Sequence, residues 1–414
     1  MEQIIVEKSK QYFETVVAIR RELHQHPELS FCEKNTAELI KRYLASKNID
    51  YQSDIAGYGV VATIIGKSSF RPERSGAEKS HPIAGDFSTS LEMTGRVIAL
   101  RADLDALPIQ ETSNVPYCSE NPGVMHACGH DAHTAMLLGT AFILNDLKDK
   151  FSGTIKLIFQ PGEEKLPGGA SLMIKEGVLD DVDLIIGQHV YPDLPCGEVG
   201  FHAGPYMASS DEVNITVKGR GGHAAKPAER ENAVLAAARI VAELSKLYPE
   251  NGDVLLAFGG FMADGTYNVI PSEVKLKGTM RTFDETKRKS LKDNILKVAK
   301  AIASEYGCDA EVLIEQGYPS LKNDVALTEK CAAFAKEILG ENKVKNLPQL
   351  MTAEDFAWYS QKIPACFYRL GTSNPEKGID SKQHTSNFDI DENAMKTGME
   401  TMVWITHALS QRDF

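Results

Sequence analysis

The chain has 414 residues, and its 45 Lys and Arg against 57 Asp and Glu give a formal net charge of −12. This acidic balance argues against a protein that binds nucleic acids or anionic membranes, because both attract basic surfaces. Hydrophobic residues at 43% and charged residues at 25% are ordinary values for a globular protein, and the length favours two or three domains.

The cysteines and the N-terminal residues bear on the compartment. The seven cysteines follow no repeating spacing, so a reducing environment is the simplest expectation. The first residues place charges on both sides of a short apolar run, unlike a signal peptide. No segment approaches the roughly 18 apolar residues of a membrane span. We therefore expect a cytoplasmic protein.

In chain order, the pattern first predicts two helices, over 3–24 and 32–47, because apolar residues recur there at helical spacing. Short apolar runs follow, and a helix over 132–147 lies among them. Runs of this length that end in polar residues are typical of strands buried on both faces of a largely parallel sheet. The runs cover 60–65, 97–101, 154–159, 183–187 and 366–370. The predicted fold class is therefore α/β.

The middle of the chain has a different pattern, the β-α-β-β-α-β order of a ferredoxin-like unit. Its predicted elements are Glu212 to Lys218, Ala228 to Leu247, Asp253 to Phe261, Glu273 to Phe283, Glu285 to Tyr306 and Ala310 to Gln316. Because α/β strands resume beyond it, we expect residues 200–316 to be a domain inserted into a first domain made of 1–199 and 317–414.

Residues 67–95 are unusually rich in Ser, Gly, Pro and charged residues. This composition, between two predicted strands, favours a surface excursion. A functional lid or an interface element is the alternative.

Several metal-binding residue types follow the predicted strands, at the edge where ligands of open α/β sheets gather. They are Asp103, Asp105, Glu163, Glu164, His189 and His384, with Cys128 and His130 in a separate loop. Independent segments thus bring Cys, His, Asp and Glu to one edge of one sheet. This composition indicates a metal site.

The spacing of these residues has a chemical interpretation. In an extended backbone Cys128 and His130 would face the same side, so that a thiolate and an imidazole could bind one centre. Glu163 and Glu164 are adjacent and should point differently, so that one binds metal while the other takes a proton from water activated by the metal. Five ligands exceed the three of an open zinc site, which suggests two ions sharing one ligand, with the Cys128 thiolate the favoured bridge. The five are Cys128, His130, Glu164, His189 and His384.

Longer motifs occur in order along the chain: RRELHQHPELSF (20–31), RADLDALPI (101–109), MHACGHDAHTAMLLG (125–139), FQPGEE (159–164), GRGGHAAKP (219–227), NVIPSEVKLKGTMRTF (268–283) and AEDFAWY (353–359). Together they resemble the co-catalytic metallopeptidase family of aminoacylases and carboxypeptidases. The resemblance is to its amidohydrolase branch of hippurate, auxin-conjugate and N-acyl-amino-acid hydrolases, and it extends from about residue 17 to 400.

The resemblance implies roles for individual residues. The metal ligands fall on the same five positions, the general base on Glu163, and two divalent ions are expected per subunit, with Zn, Mn, Co and Ni all suited to the ligands. His223 would help to hold the oxyanion, often across a dimer. Asn268 and Arg281 would hold the substrate, Arg281 because its guanidinium can bind both oxygens of a carboxylate. Asp105 would lie behind the metal site and orient a ligand.

The same resemblance implies that the inserted domain closes over the site and forms a homodimer. The implied reaction is hydrolysis of the amide bond of an N-acyl amino acid or small conjugate, releasing a carboxylic acid and an amino acid. Dipeptidase or carboxypeptidase activity on the same metal site is one alternative. A hydrolase with Cys128 as nucleophile beside His130 or His133 is another, and a catalytically inactive binding protein is the third. The Lys165-Leu166-Pro167 stretch departs from the family pattern and bears on the substrate rather than on the chemistry.

Overall fold

A computed structural model describes residues 1–67, 95–249 and 253–412. The excursion predicted over 67–95 therefore lies almost entirely outside the described residues. The helices of these ranges are α1 (Glu2–Gln25), α2 (Lys34–Ser46), α3 (His130–Asp146), α4 (Gly169–Lys175), α5 (Ala233–Leu247), α6 (Glu285–Glu305), α7 (Val325–Leu339), α8 (Ala357–Ser360) and α9 (Asn393–Gln411). None of them is both long and apolar enough to cross a membrane.

The strands of the same ranges match the predicted runs and add several short ones. They are β1 (Asp50–Ile55), β2 (Gly59–Ile65), β3 (Val97–Asp103), β4 (Thr154–Gln160), β5 (Leu184–Pro195), β6 (Val199–Phe201), β7 (Gly204–Met207), β8 (Asp211–Lys218), β9 (Gly222–His223), β10 (Val254–Ala263), β11 (Val269–Ile270), β12 (Glu273–Thr282), β13 (Asp309–Gln316), β14 (Leu321–Asn323), β15 (Val344–Asn346) and β16 (Ala365–Ser373).

The large sheet has the strand order β1-β2-β4-β3-β5-β16-β6-β15. Its centre, β4-β3-β5-β16, is parallel, as predicted. At one edge β1 and β2 form a hairpin, and β2 runs antiparallel to β4. The apolar run at 60–65 therefore forms a strand, but this strand runs antiparallel to its neighbour β4. The short turn that joins it to β1 fixes its direction. At the other edge β6 is antiparallel to β16.

Helices cover both faces of this sheet, which explains the continuous apolar runs of its strands. α1, α2, α3, α7 and α9 enclose one core with it, and α4 and α8 enclose a smaller core on the opposite face. α3 is buried on nearly every side from its first residue to Leu144, as expected of a helix that is apolar all round. This buried helix begins at the edge of the sheet where the predicted ligands lie.

The segment between β7 and β14 has a hydrophobic core of its own. Its antiparallel sheet has the order β10-β12-β8-β13, with α5 and α6 packed on one face, which is the predicted β-α-β-β-α-β arrangement. α5 begins at Ala233, not at Ala228, because the Asn232 side chain caps it by accepting the N–H of Leu235. A two-stranded ribbon of β9 and β11 lies outside this sheet. The exact domain boundaries stay a prediction.

Candidate metal centre

The carboxyl ends of the central strands and the first turn of α3 form one edge of the molecule. Gly129 has φ +88° and His130 is the first residue of α3, so the backbone from Cys128 to His130 is not extended as the sequence analysis expected. A Cβ at Gly129 would lie 2.6 Å from Val190 Cγ2. The left-handed glycine lets this loop pack against β5 and turn directly into the helix, which brings Cys128 beside His189.

The five predicted ligands lie in one cluster. The ligand atoms of Cys128, Glu164 and His384 are all within 4.8 Å of one another, and so are those of His130, Glu163 and Glu164. The Cys128 Sγ lies 3.6 Å from His189 Nε2, which joins the fifth ligand to the first group. Glu164 belongs to both groups, and Cys128 contacts His189 from the first group.

Unpaired buried atoms show that the cluster fits metal ions. His130 Nε2 and Glu164 Oε1 are buried and make no hydrogen bond among the described residues. His130 Nε2 lies 3.7 Å from Asp103 Oδ2, and Glu164 Oε1 lies 3.4 Å from His384 Nε2. Buried polar atoms without hydrogen bonds are costly unless something binds them. His189 donates its Nδ1–H to the Val190 carbonyl at 2.8 Å, which leaves Nε2 free to face the cluster. A thiolate, imidazoles and a carboxylate form a ligand set that suits divalent transition metals.

Without a bound cation, the surroundings of Cys128 favour the neutral thiol and not a reactive thiolate. Burial, and then the Glu164 charge, raise the pKa of the Cys128 thiol, whereas a nucleophilic cysteine needs a lowered pKa. The nearby Cys128 and Glu164 raise the pKa of His384 to about 10. A bound dication reverses both preferences, because it binds the thiolate and the neutral imidazole and releases their protons.

Asp105 contacts two residues of the cluster, and also Ser30. Its carboxylate accepts the Nδ1–H of His130 at 3.3 Å, the Ser30 hydroxyl at 2.6 Å and the Glu164 N–H at 2.9 Å. The first contact fixes the tautomer of His130 with Nε2 unprotonated and facing the cluster. Asp105 thus lies next to the candidate ligands, and its orienting role stays a prediction.

Asp103 and His133 form a second buried support that the sequence analysis did not assign. His133 donates Nδ1–H to Asp103 at 2.6 Å and accepts the Val190 N–H on Nε2 at 2.9 Å. Both ring nitrogens are therefore used, so His133 has none left to serve as a base for Cys128. The bond to Val190 instead fixes β5 next to His189.

Glu163 lies beside the ligands but faces a separate group of acids. Its carboxylate is within 4.8 Å of those of Glu354 and Asp355, and it accepts the Asp355 N–H at 3.4 Å. Burial raises the pKa of Glu163 well above its usual range, and the charges of Glu354, Glu164 and Asp355 add to this effect. Tyr318 donates its hydroxyl to the Glu163 carbonyl and holds that turn in place.

A buried arginine links the two acid groups. Arg101 pairs with Asp103 at 2.7 Å, with Asp355 at 2.7 Å and with Glu354 at 3.1 Å. It therefore connects the ligand support to the Glu163 side of the site. An arginine at the end of an otherwise apolar buried strand is a sequence signal that could have revealed this role, because such a charge needs partners.

A cavity of about 610 Å³ opens on the cluster. Cys128, Glu163, Glu164, His189 and His384 line its floor, and Met207, Leu255, Leu350 and Met351 give it apolar walls. Arg281 also lines it and donates to the Met351 carbonyl at 3.2 Å, without a carboxylate within 4.0 Å among the described residues. The structure therefore places Arg281 at the cavity, and its role in substrate binding stays a prediction.

The structure does not bring His223 and Asn268 to this cavity. His223 pairs with Val269 in the β9–β11 ribbon, and both His223 and Asn268 are exposed. Neither side chain lines the cavity around the ligands. Within one chain the floor of the site is assembled, while these two predicted residues remain on the outer surface of the inserted segment.

The fold and the site together fit a metal-dependent hydrolase with a candidate metal site at one edge of a large, mostly parallel sheet. The sequence model of peptidase family M20/M25/M40 matches residues 99–407. The chain belongs to this family, and it is an enzyme that hydrolyses amide bonds.

Individual relatives agree with this assignment. An N-acetylcysteine deacetylase of Bacillus subtilis is 37% identical over 392 residues, which are 93% of this chain and 94% of the relative. An N-acyl-L-amino acid amidohydrolase of Geobacillus stearothermophilus is 40% identical over 312 residues, 74% of this chain and 78% of the relative. The crystal structure of the Bacillus subtilis YXEP protein, a dinuclear metal-binding peptidase of family M20, superposes with a TM-score of 0.81 at 33% identity and covers 97% of this chain and 99% of its own.

Proposed function

We propose that this protein hydrolyses the amide bond of N-acyl amino acids or related small conjugates and releases a carboxylic acid and an amino acid. Two divalent ions would be held by Cys128, His130, Glu164, His189 and His384. The observation that carries the proposal is the cluster itself, in which Glu164 belongs to two groups of ligand atoms and Glu163 lies beside them. The names of the relatives, an N-acetylcysteine deacetylase and an N-acyl-L-amino acid amidohydrolase, support the substrate class.

Each residue of the chain has a distinct task in this reaction. Bound divalent ions supply Lewis acidity, which polarises a carbonyl and lowers the pKa of water. Glu163 takes the proton of the attacking water and returns it to the leaving amine, and its raised pKa suits a group that must do both. Arg281 binds the carboxylate of the amino acid, and Asp105 orients His130.

The ligand set limits the metal to a group of candidate ions and does not select one of them. A mixed set of Cys, His and Glu suits Zn, Mn, Co or Ni, and availability often decides between them. We propose that the protein works with one of these four ions and in the cytoplasm, where its free cysteines would stay reduced.

We further propose a homodimer through the inserted domain, residues 200–316. The supporting observation is the exposed apolar surface around β10, which is an edge strand: Phe261 is 45% exposed, Met262 is 43% exposed, and Tyr267 is fully exposed. Exposed edges with large apolar residues are characteristic of interaction surfaces. In the dimer, His223 would reach the cavity of the partner and stabilise the oxyanion, and Asn268 would contact its substrate.

Dipeptidase or carboxypeptidase activity is the alternative, since the bond that is cleaved is the same and Arg281 could equally bind the C-terminal carboxylate of a peptide. A panel of N-acetyl, N-benzoyl and indole-acetyl amino acids beside dipeptides, tested on metal-reconstituted protein, separates the two. We expect the acyl amino acids to have the higher kcat/KM. A clear preference for dipeptides would contradict the proposed function.

Glu163→Gln tests the mechanism. The substitution keeps the size of the side chain but removes the base, so we expect kcat to fall by about 10³-fold or more with the metal content unchanged by elemental analysis. The exposed Glu14→Gln is the matched control and should retain full activity. Full activity of Glu163→Gln would refute the assignment, and activity that survives EDTA would favour the Cys128 thiol as nucleophile.

A further inference from the structure

A second arginine lines the cavity beside the ligands. Arg369 lies in β16, directly opposite His189 in the parallel pair with β5. Its side chain is 4% exposed, and it lines the same cavity as Arg281 and Glu163. The strand CFYRL is otherwise apolar or aromatic, so this charge is placed within the sheet at the floor of the site.

The Arg369 guanidinium has no carboxylate partner within 4.0 Å among the described residues. It donates to the Tyr206 hydroxyl at 3.3 Å and contacts Met207 Sδ at 3.2 Å. Glu354 is an acidic neighbour, but it is paired with Arg101 at 3.1 Å. Burial raises the pKa of Glu354, while Arg101 and, more weakly, Arg369 oppose this effect. Arg369 is thus a buried cation that no carboxylate neutralises directly.

The aromatic rings that pack around the Arg369 guanidinium do not by themselves account for its buried charge. The guanidinium lies 5.1 Å from the centre of the Phe367 ring, 5.7 Å from that of Tyr191 and 5.9 Å from that of Tyr206. Cation–π contacts are individually weak, whereas the desolvation of a buried ion is costly. The difference favours a ligand anion as the missing partner, since a charge that faces a cavity can be neutralised by what enters it.

Arg281 is another arginine that lines this cavity. It also lacks a carboxylate within 4.0 Å among the described residues, and the proposed function already assigns it to the carboxylate of the amino acid. Each guanidinium can bind both oxygens of a carboxylate, so two arginines without a carboxylate partner can take up two carboxylates. Two unpaired arginines around one cavity of about 610 Å³, in a chain of net charge −12, therefore indicate a substrate with two anionic groups.

We infer that Arg369 is a specificity-determining residue that binds a second carboxylate, so that the preferred substrates are dianionic N-acyl amino acids. This inference rests on the proposed function. The second carboxylate can come from the side chain of an acidic amino acid or from the far end of a dicarboxylic acyl group. The chemistry at Arg369 is the same in both cases.

Two matched substrate pairs test the inference on metal-reconstituted protein. The first is N-acetyl-L-glutamate against N-acetyl-L-glutamine, and the second is an N-succinyl amino acid against its N-succinamoyl amide. Each pair differs by one charge at nearly constant shape. We expect the wild-type enzyme to prefer the dianion in one pair by about tenfold or more in kcat/KM, and the pair that shows the preference identifies the source of the second carboxylate.

Arg369→Met removes the charge and keeps an unbranched apolar side chain, so the preference ratio should fall to about one. Arg42→Met, an exposed arginine that pairs with Glu22 on the surface, is the control and should keep the wild-type ratio. A ratio that persists in Arg369→Met overturns the inference. If that variant does not fold, Arg369→Gln provides the same measurement.

The wild-type ratios also separate this inference from the proposed function. Ratios near one in both pairs, with N-acetyl-glutamine still hydrolysed, overturn the role of Arg369 and leave the proposed function standing. If no N-acyl amino acid of either pair is hydrolysed and dipeptides are, the proposed function itself fails, and the inference fails with it.

Discussion

The floor of the site and the β9–β11 ribbon differ in how firmly the chain holds their functional side chains. On the floor, His130, Cys128 and Glu163 are at least nine-tenths buried, and neighbours such as Asp105 and Asp355 hold them by hydrogen bonds. On the ribbon, His223 is exposed, and its ring contacts the N–H of Ala225, two residues away. The floor is preorganised within one chain, and the ribbon is not.

This difference indicates that the floor of the site and the β9–β11 ribbon have different tasks. Metal binding and proton transfer need fixed geometry, because atoms that are misplaced by about 1 Å cost a large part of the rate. A residue that must meet a substrate after it has bound can instead be supplied by a neighbouring surface. The comparison predicts that the floor acts alone in binding metal, whereas turnover needs the ribbon of a second subunit.

Among the variants that test this comparison, His223→Ala should have the largest effect on turnover. If His223 stabilises the oxyanion, kcat should fall by about 10²–10³-fold, while metal content and the melting temperature remain at wild-type values because the side chain is exposed. Steady-state kinetics, elemental analysis and thermal unfolding measure these three quantities. A variant with normal kcat would show that the ribbon takes no part in the reaction.

Mixing two inactive variants then asks whose site His223 serves. In a heterodimer of Glu163→Gln and His223→Ala, one site would combine the intact Glu163 of one subunit with the intact His223 of the other. Random pairing should restore about a quarter of the wild-type activity. No recovery after subunit exchange has been verified would mean that His223 acts within its own chain or not at all.

Asp105→Asn tests the floor of the site, and we expect a smaller effect than that of His223→Ala. The amide oxygen can still accept from Ser30 and the Glu164 N–H, which turns the amide NH₂ toward His130 Nδ1. This contact favours the tautomer with a proton on Nε2, the atom that faces the metals. We expect metal affinity to fall by about 10–100-fold, measured by competition with a chelator.

Two further variants define the control for this change. Ser30→Ala removes one hydrogen bond of Asp105 and should weaken metal binding by a few-fold at most, and the exposed Asp149→Asn should have no effect. An Asp105→Asn protein with wild-type metal affinity would show that His130 does not need this carboxylate.

The residues of the floor could be expected to lie together because their positions in the sequence follow a local rule. Short apolar runs identified the buried strands, and polar residues directly after them, such as Glu163, had to lie at one edge of a parallel sheet. The turn at Gly129 was predicted wrongly as extended, since nothing in the pattern distinguishes an extended Cys-Gly-His segment from one in which glycine adopts a left-handed φ before a helix.

The surroundings of the other residues of the site depend on contacts between distant parts of the chain. Arg101, His133 and Arg369 acquire their surroundings from segments up to about 250 residues away, so their partners could not be assigned from spacing. The charges of Arg101 and Arg369 within apolar strands were nevertheless a visible signal of a function. The positions of His223 and Asn268 came from the resemblance alone, and within one chain the structure leaves them apart from the cavity.

Substitution of His24 tests the buried residues that support the floor of the site. We expect it to have the smallest effect on turnover, and its effect on stability should depend on pH. It lies between Asp131, at 2.8 Å, and Glu111, at 3.3 Å, directly behind the first turn of α3. Burial lowers the pKa of His24, but the hydrogen bonds to Asp131 and Glu111 outweigh burial and raise the pKa to about 9. The unfolded value is near 6.5, so the protonated ring stabilises the folded state.

The sign of the pH dependence follows from this shift. A folded pKa above the unfolded one contributes stability that is fully present below pH 6.5 and is lost as the pH rises toward 9, with an upper bound of about 3 kcal/mol. His24→Gln should therefore be less stable than the wild type at pH 6, and the difference should shrink by pH 9.5. Urea unfolding at both pH values measures it. A difference that stays constant would show that His24 is not charged in the folded protein and that Asp131 is held at the start of α3 by Arg20 alone, which pairs with it at 2.9 Å.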